Sequence, residues 1–138
     1  MSDSVNPFDK LVTDVQDARS VTRDYDARLA ATRRAIGEGW QGGFNNLIRD
    51  AMTKLGAIGV IFDQGDMIIS NNALMGMRYP VTAFGRSGHL KFFASKPDEV
   101  EISIFDGDTA KVEVDIEGAF PRDQFVSAVA GVIRHVAK

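Results

Sequence analysis

Through the first quarter of the chain, one stripe of positions recurs at alternating three- and four-residue steps. It runs Phe8, Leu11, Val15, Ala18, Thr22, Tyr25, Leu29, Thr32 and Ile36, with Phe8, Val15, Thr22, Leu29 and Ile36 in one heptad series. Asp14, Asp17, Arg19, Arg23, Asp24, Asp26, Arg28, Arg33 and Arg34 fill the positions between as a mixed-charge solvent face. The pattern predicts a helix from about 7 to 36. Asn6 is placed to cap it, Pro7 suits its first position, and Asp9 lies near the positive end of its dipole. At about 1.5 Å per residue such a helix is roughly 45 Å long. Ala18, Thr22 and Thr32 make its seam thin, and a lone helix with a thin seam is marginally stable. It needs a surface to lie on: the rest of the domain, a second copy, or another protein.

Gly37, Gly39, Gly42 and Gly43 then break the periodicity around Trp40, which is placed to plug a joint. A second helix is predicted from about 44 to 56, with Phe44, Leu47, Ile48, Ala51, Met52 and Leu55 on its apolar face. Period-two and apolar runs follow at 58–62, 66–70, 79–84, 89–94, 100–105 and 110–116. Asp63-Gln64-Gly65, Gly85-Arg86-Ser87-Gly88 and Asp106-Gly107-Asp108 separate them in pairs, as hairpin turns would. The link 71–78 has no clear pattern. Pro121 opens a last helix whose core face is Phe125, Val129, Val132, Ile133 and Val136. The expected fold class is α+β. Two N-terminal helices precede an antiparallel meander of five or six strands, and a C-terminal helix packs on the sheet. Residues 1–42 form the helix and its glycine joint; residues 43–138 form the compact domain.

Composition adds limits. A chain of 138 residues, 44% hydrophobic and 25% charged, has the profile of one folded soluble domain. There is no cysteine, which removes disulfides, thiolate metal ligands and cysteine nucleophiles. No run is apolar for the roughly 20 residues that a membrane span needs. The first residues do not read as a secretory signal, so the cytoplasm is the expected location. The formal net charge of −3 is uneven: −1 over residues 1–42, +3 over 43–97 and −5 over 98–138. No basic stripe of the strength that nucleic acid demands is present, and no nucleic-acid partner is expected.

The strongest chemical pattern is in the last hairpin. If Val100, Ile102, Ile104, Val112, Val114 and Ile116 face the core, alternation puts Glu99, Glu101, Glu113, Asp115 and Glu117 on the other face as an acidic ridge. A solvated face is the commoner reason for such a pattern; recognition of a basic partner or cation is the functional one. Arg78, Arg86, Lys91 and Lys96 make the middle region the basic part of the sheet, and Arg78, Arg86, His89 and Lys91 are candidates for binding a small anionic ligand. The two aspartate–glycine turns lack a spaced calcium loop and read as ordinary turns. His89 and His135 are far apart in sequence, with no orienting carboxylate in triad order, and no metal site or catalytic constellation emerges.

The sequence therefore favours a non-catalytic interaction or assembly module of the adaptor, structural-subunit, chaperone or inhibitor type. Its partner would be another protein or a second copy, met through Phe8, Leu11, Val15, Tyr25, Leu29, Ile36, Trp40 and the five carboxylates. No cofactor is called for. The alternative is a sensor of a small anionic ligand or nucleotide. An acid–base enzyme using Glu101, Glu113 and Asp115 ranks third, because alternation predicts that these groups are exposed.

Overall fold

The computed structural model describes residues 6–105 and 107–137. Helix α1 spans Pro7–Arg34, and a single π-helical turn, Ala35–Gly39, leads into α2, Gln41–Leu55. After a short 3₁₀ turn, Gly56–Ile58, six strands follow: β1 Ile61–Phe62, β2 Asp66–Ser70, β3 Ala73–Ala83, β4 Arg86–Lys96, β5 Glu99–Ile104 and β6 Asp108–Glu113. Helix α3, Arg122–Val136, closes the order. The expected α+β architecture is present, with helices on one face of an antiparallel sheet.

The sheet order is β1-β3-β4-β5-β6, with β2 also on β3. Ile61 and Phe62 pair with Thr82 and Val81, and Asp66 to Ser70 pair with Arg78 to Ala73. β1 and β2 are thus two pieces of one interrupted edge, and Asp63-Gln64-Gly65 is a break between them rather than the expected hairpin turn. A side chain at Gly65 would overlap Tyr79. The true hairpin turn lies at Asn71-Asn72, where φ is 52° and 62°. Asparagine tolerates that left-handed region, which two-residue hairpins require. The unassigned link 71–78 is thereby the start of a long β3. The next turn is also tighter than its glycine spacing implied: Phe84 and Gly85 make it, and Arg86 to Gly88 already belong to β4.

The helix-facing side of the sheet carries Met77, Tyr79, Val81, Leu90, Phe92, Val100, Ile102 and Val112, all buried. Against it α2 and α3 place Phe44 and Phe125. The Phe44 ring lies 4.5 Å from Phe92 and 5.1 Å from Phe125. Phe120 stacks on Phe125 at 5.2 Å. Trp40 packs edge-on against Phe125 at 6.2 Å and is almost fully buried. Gly43 lets Phe120 approach, since a methyl group there would overlap its ring. Ile36, Gly37 and Trp40 therefore belong to the body's core, while Gly39 and Gly42 stay exposed.

Candidate interaction surfaces

Helix α1 has two unlike parts. The side-chain oxygen of Asn6 accepts the Phe8 N–H at 2.9 Å, Pro7 begins the first turn, and Arg33 and Arg34 close the last, so both ends match the dipole. Near its C-terminus the helix is fastened to the body. The Thr32 hydroxyl donates to the Arg28 carbonyl and accepts the Asp98 N–H at 2.9 Å. Arg33 Nε donates to the Ala94 carbonyl at 3.1 Å. Arg28 Nε lies 3.0 Å from Asp98 and its guanidinium 3.9 Å from Glu117, and its pKa is raised chiefly by the hydrogen bond to Asp98. Thr32 and Ile36 are 0% exposed and Leu29 is half-buried.

Every residue from Asn6 to Arg28 is exposed. Among them Phe8 is 72% exposed, Leu11 55%, Val15 45% and Tyr25 48%. Val12 and Val21, beside the seam, are exposed as well. These 23 positions form an arm that touches little of its own body. Of the predicted partner-binding residues, the structure presents Phe8, Leu11, Val15 and Tyr25, and it places Ile36 and Trp40 inside.

The acidic residues do not form one ridge. Alternation carries three of them onto the open face of the sheet. There Glu99 opposes Glu113, while Glu101 lies between Phe93 and Lys111. β6 ends at Glu113. Asp115 and Glu117 fall in the following turn, where an Asp115 carboxylate oxygen accepts the Glu117 N–H at 3.0 Å. Both lie near Arg28, at the root of the arm. The mixed character of the open face follows from register, which a single strand's pattern does not reveal.

The basic residues separate too. Arg78, His89 and Lys91 share the open face, with Arg78 opposite Lys91. Arg78 Nε is spent on Asp66 at 2.8 Å, and that hydrogen bond holds the Asp66 carboxyl below its ordinary pKa. Arg86 projects on the other face, 4.4 Å over the Phe105 ring, with Nη2 3.9 Å from Asp108. His135 Nε2 lies 3.2 Å from the same carboxylate. Asp106 is outside the described residues. Among the described residues no three histidine or carboxylate groups gather as a metal site would require.

One surface had no clear signal in the sequence. An apolar groove of about 420 Å³ runs between α2 and α3, lined by Leu47, Ala51, Leu55, Ile58, Val126 and Ile133. Val126 lies off the predicted core stripe of α3, and its 40% exposure marks the groove's wall. Among the described residues no helix is long and apolar enough to cross a membrane. No known protein family, curated protein or solved structure matches the chain.

Proposed function

We propose that the protein is a non-catalytic interaction or assembly module in which a compact α+β body presents a helical arm to a protein partner. One observation carries the reading. A single seam is 0% exposed at Thr32 and Ile36, yet 72% exposed at Phe8 and 55% at Leu11. Exposed apolar positions are ordinary when scattered; aligned along one stripe of a projecting helix, they are what a helix-in-groove or coiled-coil contact uses. Glu99 and Glu113 on the open sheet face, with Asp115 and Glu117 at the root of the arm, would add orientation to the encounter more than affinity. The cytoplasm is the proposed location, in keeping with a chain free of cysteine.

The test is removal of residues 1–25, a cut that spares Leu29, Thr32, Ile36 and Trp40. The remaining body should keep its melting temperature within a few degrees and its far-ultraviolet strand signal, and it should lose association. A body that unfolds on this cut would make the arm part of the fold and end the proposal.

A further inference from the structure

Resting on that reading, we infer that the arm's partner is a second copy of this chain, whose own arm lies antiparallel along residues 8–25. The seam changes owner at Leu29. From Leu29 onward the body covers it: Asp98 and Ala94 hydrogen-bond to Thr32 and Arg33, and Ile36 is in the core. From Tyr25 back to Phe8 none of the described residues covers it. A parallel partner would run beside the whole seam in register, and its last turns would collide with the β4–β5 turn already seated there. An antiparallel partner ends where the body begins.

In an antiparallel pair, the first and fourth heptad positions face each other. One alignment sets Phe8 against Tyr25 of the copy, Leu11 against Thr22, and Val15 against Ala18, symmetrically about the middle of the arm. It uses every exposed seam position. Sliding by one heptad in one direction drives Phe8 of the copy onto Thr32, which is 0% exposed. Sliding the other way leaves Thr22 and Tyr25 bare.

Val12 is 52% exposed and Val21 69%, one on each side of the seam. In the chosen alignment Val12 meets Arg19 of the copy and Val21 meets Asp14, so both valines gain cover and no like charges oppose. A parallel pair would bring Asp14 beside Arg19 of the copy, which is attractive. Surface pairs of this kind are weak, however, and do not offset displacement of the buried contacts at Thr32 and Ile36. The seam is short and includes Ala18 and Thr22, so the dimer is expected to be concentration-dependent.

The chain has no cysteine, which leaves a clean background for crosslinking. Full-length Phe8→Cys and Tyr25→Cys variants would be mixed and oxidised, as would Val12→Cys with Arg19→Cys, a pair that leaves the seam intact. Mixed disulfide dimers in both mixtures, with mass doubling by light scattering across three decades of concentration, are the expected result. Leu11→Asp should return the chain to a monomer at an unchanged melting temperature. Crosslinking of Phe8→Cys to itself would overturn the antiparallel alignment. A dimer that survives removal of residues 1–25 would shift the contact to the α2–α3 groove or a sheet edge and overturn the arm pairing. A monomer throughout, with the truncated body still folded, would eliminate the second copy while leaving the arm available to a different protein.

Discussion

The seam that runs along α1 into the π-helical turn has two ends with opposite fates. Around Thr22 and Tyr25 the seam faces solvent; around Thr32 and Ile36 it is part of the core. Local sequence does not account for this, since each end contributes one threonine and one larger apolar residue. What differs is the neighbour. The β4–β5 turn brings the Asp98 N–H to Thr32, whereas Thr22 is exposed and its hydroxyl bonds back to the Ala18 carbonyl. Periodicity shows which face of a helix wants cover, and topology decides how much of it is covered at home.

The sharpest way to break that comparison is a pair of aromatic truncations. Phe44→Ala should cost about 3–5 kcal/mol in urea denaturation, because it empties a packed core position. Phe8→Ala in the monomer should stay within about 0.5 kcal/mol of the parent, as surface changes do. Equal costs would put the arm in the fold. Gly76→Ala should follow at about 1–3 kcal/mol, the usual penalty for overpacking. A methyl group there would overlap the Phe92 carbonyl oxygen, and this checks the sheet against the arm by the same measurement. Next come the two threonines. Thr32→Val removes the acceptor of the part-buried Asp98 N–H and should cost about 1–3 kcal/mol, whereas Thr22→Val should be close to neutral in the monomer. The smallest effect is on pH dependence. Burial pushes the Tyr79 phenol up to about 12 from 10.0. The unfolded chain therefore ionises first, and stability present below pH 10 is lost as pH rises toward 12. Thermal melts of Tyr79→Phe should lack that alkaline decline.

Much of the fold was legible because burial imposes a period. The α3 stripe from Phe125 to Ile133 and the β5 alternation Val100, Ile102, Ile104 appear in the structure as read. Turn chemistry was less reliable. Asp63-Gln64-Gly65 resembles a hairpin turn by composition, yet pairing of both flanks with β3 makes it a break in one edge. Phe84 sits at φ 54°, a region costly for a bulky side chain, so glycine spacing pointed to a wider turn. The surfaces were legible only as lists of residues. Arg86 is close to Arg78 in sequence, but the tight turn puts it on the opposite face. Alternation puts Glu101 on one face with Glu113, and register sets it opposite Lys111. The α2–α3 groove depends on the distance between two helices, and neither helix's own pattern carries that distance.

Trp40 is the chain's one tryptophan, and its ring is enclosed by Phe120 and Phe125 at the joint. Its fluorescence is therefore a native gauge of the body that is nearly blind to the arm. Tyr25, one of two tyrosines, is the arm's own chromophore. With the body's own tyrosine removed by Tyr79→Phe, a single sample excited at two wavelengths separates loosening of the core from docking of the arm, with no label attached to either.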